Sequence, residues 1–370
     1  MLKNIQTLRF LAALWVVLHH MQPPVTPFTL SLLPDAVTRL GFAGVDLFFV
    51  ISGLIMAETT RGMLPGWPAA TRFLVQRFGR IYIGWWPFFA LYLWGASQSG
   101  RLRPDVDLWG SFLLWPQDLT HYLLPITWTL SFELYFYVTV AALVVWNRRH
   151  APLVLGLCGI AIVALNIWFY QRGLYLPANE GLAKTNLLIP FYLSPLTLEF
   201  IAGFLLAEWL HRRPRQCLGC WLAGAVLMLA LAYFYQTSGS LLASGMAGFF
   251  HVGERAALLG GFACCLVVCA MELERRQITP WPLLQALGDA SYSIYLAHIV
   301  CLIVVGAAFF RLQPFLHAPA TVWSLAAIGL TLGSAWLNYR WIEYPLNRQL
   351  KALLAKYPRL NSTGMRVPSP

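Results

Sequence analysis

The chain has 370 residues, of which 58% are hydrophobic and only 11% charged, against about 25% charged in a soluble globular domain. Its mean hydropathy is +0.61 and its net charge is +11. These values exclude a disordered protein, a nucleic-acid-binding module and an ordinary soluble enzyme.

A membrane span takes about 20 apolar residues. Apolar length and the punctuation between apolar runs predict ten spans, over 5–22, 40–58, 79–97, 126–146, 152–170, 193–210, 218–236, 254–272, 288–310 and 320–341. The fold class expected is all-α and polytopic. The first run reads as an uncleaved span, because it is entered through Arg9 and no small-residue cleavage site follows His20. Residues 106–116 (VDLWGSFLLWP) are apolar but too short to cross, so they lie at the interface or re-enter. No internal repeat of the kind built into many transporters is visible. With the N-terminus inside, 18 Lys and Arg fall in cytoplasmic segments and 7 in outer ones, with Arg9 inside the first span. That bias places both termini in the cytoplasm and requires an even number of spans. Residues 1–349 then form one membrane domain, and 350–370 a short basic tail.

Seven cysteines are present, most inside apolar runs where Cys acts as a small hydrophobe. Cys217 and Cys220 form a lone CxxC without a second ligand pair, so no metal or redox role is expected. The outer loop 98–125 carries Asp105, Asp107, Asp118, His121 and several Trp. The outer loop 171–192 carries Asn179, Glu180 and Asn186. Such loops suit sugars, and an interfacial aromatic belt reads the same way.

Ionisable residues inside spans are costly and usually face an internal cavity. Arg9 and His20 are 11 residues apart, about three helical turns, so they project from one face roughly 16 Å apart. His19 points about 100° away and is the weaker candidate. Asp46 enters the second span, and Glu133 the fourth, from outside. Both are expected at the depth of His20, where a histidine poised by carboxylates is a general-base arrangement. His298 is expected nearer the midplane, and Glu343 at the cytoplasmic end of the tenth span. Arg77 and Arg80 share a helix face in TRFLVQRFGR. Paired guanidiniums suit phosphates, although positive-inside topology also places arginines there. For any one of these residues the bland alternative is a bond to a neighbouring helix.

Six segments, in order, carry a resemblance over about residues 3–349. NIQTLRFLAALWVVLHH holds Arg9 and His20. GFAGVDLFFVISGLIM holds Gly44, Asp46, Phe49, Ser52 and Gly53. QRFGRIYIGWW holds Arg77 and Arg80. TWTLSFELYFY holds Ser131 and Glu133, LGDASYSIYLAH holds Tyr292 and His298, and WIEYPLNR holds Glu343 and Pro345. In this the chain resembles the acyltransferase 3 family of bacterial integral-membrane O-acyltransferases, in its stand-alone form.

The resemblance implies an enzyme of the bacterial cytoplasmic membrane. It would take an acyl group, usually acetyl, from cytoplasmic acyl-CoA and pass it to a hydroxyl of an extracytoplasmic or lipid-linked carbohydrate. Acyl-CoA would be a co-substrate, with no bound cofactor or metal. His20 would be the general base or a transient acyl carrier, with Asp46 or Glu133 orienting its imidazole. Arg9, Arg77 and Arg80 would hold acyl-CoA. His298, Ser131, Tyr292 and Glu343 are further site candidates. A transporter or flippase, with the buried charges lining a path, is the competing reading.

Overall fold

The computed structural model describes residues 2–22, 25–28, 33–100, 102–172, 191–213, 215–239, 241 and 253–356. Every regular element among the described residues is helical. The outer-loop residues Asn179, Glu180, Lys184 and Asn186, and most of the expected basic tail, lie outside the described residues.

The longer helices are α1 (Lys3–His20), α3 (Ala43–Thr60), α4 (Trp67–Gln98), α6 (Trp128–Trp146), α7 (Ala151–Gln171), α8 (Leu196–Arg212), α9 (Leu218–Ser238), α10 (Gly253–Arg275), α12 (Ser291–Leu316) and α13 (Ala320–Asn338). Shorter ones are α2 (Asp35–Arg39), α5 (Leu108–Leu113), α11 (Pro282–Asp289) and α14 (Tyr344–Ala355). Their boundaries follow local chemistry. Proline sits in the first turn of α4, α7 and α11, where the missing N–H costs nothing. Gly66 precedes α4 at φ +130, a backbone state open to glycine. The Cys217 sulfur accepts the Cys220 N–H at the start of α9, so the CxxC forms a helix cap.

Among the described residues, seven segments are long and apolar enough to cross a membrane: Ala43–Thr60, Pro125–Trp146, Arg148–Gln171, Leu218–Ser238, Gly253–Arg275, Ser291–Leu316 and Ala320–Ala355. Helices α1, α4 and α8 coincide with three further expected spans but fall outside this group. Charge and polarity interrupt them: Lys3 and Arg9 in α1, Arg72, Arg77 and Arg80 in α4, Glu199 and Glu208 in the 17-residue α8. Two boundaries also differ from expectation. Helix α4 starts twelve residues before the predicted 79, because its arginine-bearing first turns are as helical as its apolar part. The last span, expected to end at 341, runs through a π-turn at Tyr339–Glu343 straight into α14, which ends at Ala355.

Helix α3 is the hub, packed against α1, α6, α8 and α10. It meets α8 at backbone distance. A Cβ on Gly53 would strike the Phe200 carbonyl, and one on Gly203 the Val50 carbonyl. The crossing therefore requires two reciprocal glycines, the small-residue device of membrane helix pairs. Leucine at Gly53 or Gly203 should sharply lower the amount of folded protein in membranes. Leucine at Gly156, where nothing lies within reach, should leave it unchanged. Quantitative immunoblotting of solubilised, size-fractionated membranes checks this. Around the hub, Phe49, Phe132, Phe136 and Phe200 form an aromatic core, with Phe136 stacked on Phe200 at 4.1 Å. Helices α7 and α9 turn large apolar side chains outward, among them Leu153, Ile160, Val226 and Phe234.

Candidate active site

One cavity of about 740 Å³, counting its open mouth, lies between α1, α3, α4, α6 and α12. Its polar lining is Arg9, Ser52, Arg77, Arg80, Thr129, Glu133, Tyr137, Tyr292 and Tyr295. Five helices each contribute to it, which is why residues as distant in sequence as Arg9 and Tyr295 meet.

The cavity is electropositive by composition: three guanidiniums face one carboxylate. Arg9 is buried on α1 and donates to Gln6 Oε1 at 3.1 Å. Arg77 donates to Thr59 Oγ1 at 2.7 Å and lies over the Phe73 and Tyr137 rings. Glu133 is held by the Tyr137 hydroxyl at 2.5 Å and by Ser52 at 3.3 Å, both donating to Oε1. The arginines elsewhere on α3 and near α7 differ in kind. Arg61 and Arg148 both pair with Glu208, and Arg61 also pairs with Glu58, so their charge is spent within the fold.

A second cluster sits at the other end of α1. The His20 Nδ1 lies 2.9 Å from the Val16 carbonyl of its own helix. Its ring centroid is 5.0 Å from that of His298 and 5.2 Å from that of His19. His298 is fully buried, with Nδ1 2.5 Å from the Tyr295 carbonyl. His19 Nδ1 contacts the Thr38 carbonyl at 2.8 Å, anchoring α2. Tyr295 joins the two regions. Its ring lines the arginine cavity and its carbonyl serves His298.

The expectation that Asp46 or Glu133 orients the His20 imidazole is corrected. Asp46 is fully buried and bound in a bidentate pair by Arg255, Nε to Oδ1 and Nη2 to Oδ2, each at 2.8 Å. Glu133 belongs to the arginine cavity. Depth along a span does not fix direction around it, and these two carboxylates face different neighbours. Arg255, one of the seven charges counted to the outer side and standing at the edge of the predicted span 254–272, is buried in the first turn of α10 and lies over the Phe42 ring at 5.0 Å. Its signal was hidden because its partner is 209 residues away.

The remaining candidates separate. Tyr292 lines the cavity and donates to the Ile81 carbonyl at 2.9 Å. Glu343 accepts from Ser293 at 2.8 Å, and Ser293 accepts from Asn338 at 2.9 Å, which locks the π-turn to α12. Ser131 pairs with the Tyr122 hydroxyl at 2.7 Å, fastening the loop after α5 rather than facing the cavity. Asp107 caps the start of α5, and Asp118 caps the short turn Leu119–His121 that follows it. Tyr82 and Trp85 on α4 donate to the Leu113 and Ser111 carbonyls of α5. Tyr137, which clamps Glu133, is not among the candidates that the sequence offers. A tyrosine four residues after the glutamate, on the same helix face, was the available signal.

The model of an acyltransferase domain family, acyltransferase 3, matches residues 2–340. The chain belongs to the acyltransferase 3 family. This acyltransferase is 29% identical to the exopolysaccharide production protein ExoZ of Rhizobium meliloti (strain 1021), over 85% of this chain and 92% of that one. It is 28% identical to BcsY of Komagataeibacter xylinus, provisionally named a membrane-bound transacylase, over 73% and 68% of the two chains. It is 30% identical to the acyltransferase MdmB of Streptomyces mycarofaciens over 53% of each chain. No solved structure matches the acyltransferase.

Proposed function

We propose that this acyltransferase crosses the bacterial cytoplasmic membrane ten times, with both termini inside. It moves an acyl group, acetyl in the simplest case, from cytoplasmic acyl-CoA to a hydroxyl of an extracytoplasmic or lipid-linked carbohydrate. The observation that carries this is the division of α1. Arg9 stands in an arginine-lined cavity and His20 stands in a histidine cluster about 16 Å along the same helix. A CoA thioester has the matching form, with an anionic nucleotide end, a thin arm and a reactive carbonyl at its tip. The charge asymmetry of the loops supports the orientation. The exopolysaccharide role in the name of ExoZ supports a carbohydrate acceptor.

In this reading Arg9, Arg77 and Arg80 bind the phosphates, which guanidiniums meet in bidentate geometry. Glu133, pinned by Tyr137 and Ser52, lines the same cavity as these arginines and supplies its carboxylate. His20 is the general base. A carbonyl can only accept, so the Val16 oxygen fixes the proton on Nδ1 and leaves the Nε2 lone pair for the acceptor hydroxyl. The oxygen attacks the thioester carbon, the C–S bond breaks, and the proton passes to the departing thiolate.

The test is mass spectrometry of surface glycans from cells with and without the gene, before and after mild alkali. An alkali-labile acetyl-sized mass that depends on the gene is expected. If glycans are identical and membranes with the protein turn over no acyl-CoA, the reading fails. For donor binding, Arg77→Ala should raise the KM for acetyl-CoA about tenfold or more, since charge-assisted bonds contribute about 1.5–3 kcal/mol each. A steady-state titration in membranes measures it. If only abundance changes, Arg77 serves topology alone.

A further inference from the structure

His298 has a feature that the proposed reaction leaves unused. Its Nε2 is buried and has no hydrogen-bond partner among the described residues. The Tyr295 carbonyl accepts from Nδ1, so the neutral ring carries its proton there and Nε2 is a bare lone pair. His20 is fixed in the same tautomer by the Val16 carbonyl. Two imidazoles, 5.0 Å apart between centroids and tilted by 55°, thus both keep Nε2 free to take a proton. A buried lone pair without a donor costs free energy, and no other described residue accounts for it.

The surroundings explain why one imidazole alone is poorly suited as the base. An imidazolium in an apolar core needs an acceptor for its new N–H. The usual acceptor is a carboxylate, and the two expected ones face elsewhere: Asp46 pairs with Arg255, and Glu133 lines the arginine cavity. Among the described residues, the charged and titratable groups around the pair are His19 on α1, which is bound to Thr38, Tyr295 on α12, which is bound to Ile126, and Arg255 on α10. Arg255 and His19 share contact with the Phe42 ring, and Arg255 is itself paired with Asp46. None of these offers His20 a second acceptor.

We infer that His20 and His298 form a two-imidazole relay that holds a single proton between their Nε2 atoms during acyl transfer. This rests on the acyl-transfer reading. When the acceptor O–H bond breaks, its proton bonds to His20 Nε2, and the new N–H donates to His298 Nε2. The oxygen electron pair forms the ester bond, the C–S bond breaks, and the shared proton leaves with the thiolate as thiol. The pair starts and ends neutral. A second proton would put two imidazoliums side by side in the core, so the pair takes up one only.

The test is ¹⁵N NMR of histidine-labelled protein in lipid nanodiscs, titrated with acid and base. No substrate is needed. The expected result is one protonation event that moves the Nε2 signals of His20 and His298 together. In His298→Asn, which keeps an amide donor for the Tyr295 carbonyl, the His20 event should shift by about one pH unit or more. Independent titration curves in the wild type, or a His20 curve unmoved by His298→Asn, would overturn the relay. The wild-type curves decide the matter even if the variant does not fold. With acetyl-CoA and native membranes, His298→Asn should lower kcat about 100-fold with KM for acetyl-CoA changed less than threefold. Wild-type kcat in the variant also overturns the relay and leaves the acyl-transfer reading standing. Absence of any acyl-CoA turnover by the wild type removes that reading, and the relay's catalytic role with it.

Discussion

Cells carrying His20→Ala should lose the alkali-labile acyl mass from their glycans by at least about 100-fold, the usual worth of a positioned general base, while the protein level in the membrane stays unchanged. The reason for an unchanged level is structural. His20 is the last residue of α1 and its ring contacts its own helix and two other histidines, so its loss opens little core. The reason for the large loss is that no other base can substitute. His298 sits deeper in the bundle, and His19 is tied to the Thr38 carbonyl. Transfer retained in His20→Ala, at wild-type protein level, would remove His20 from the chemistry. His20→Gln sharpens the comparison, because it keeps a polar side chain of similar reach but provides no basic nitrogen.

The legible and illegible parts of the chain divide along physical lines. Apolar runs of span length predicted helices that the structure contains, because the hydrophobic effect acts on each run locally. The arginines were legible as candidates for the same reason: Arg9, Arg77 and Arg80 interrupt apolar sequence, and an interruption needs a compensating environment. Which groups meet was not legible. Asp46 and Glu133 both enter their spans from the same side, yet one faces Arg255 and the other the arginine cavity. That choice is set by the rotation of each helix about its axis, and the rotation is set by packing such as the Gly53 and Gly203 crossing. Ser131 shows the converse. It stands two residues from Glu133 in a segment shared with the family, and its hydroxyl is used to hold Tyr122. Arg255 was counted as an outer-side charge because a charge at the end of an apolar run reads as solvated unless its partner, here Asp46, is known.

The Asp46–Arg255 pair gives the largest expected effect on stability. Arg255→Met should strip most of the folded protein from the membrane. Removing one partner leaves Asp46 as an uncompensated buried charge, at a cost of about 3–5 kcal/mol, a large part of a typical folding free energy of about 5–15 kcal/mol. Asp46 is fully enclosed, so water cannot take over from the guanidinium. Both of its oxygens depend on Arg255. The double variant Asp46→Asn with Arg255→Met removes the stranded charge and should recover much of the accumulation, measured by immunoblot and by the thermal midpoint of the solubilised protein. Transfer activity in that double variant then decides what Asp46 is for. With Asp46 acting as the counter-ion of Arg255, activity should return in step with the amount of protein. Recovered protein without recovered transfer would show that Asp46 acts on His20 after all, in an arrangement that forms only when substrate is bound.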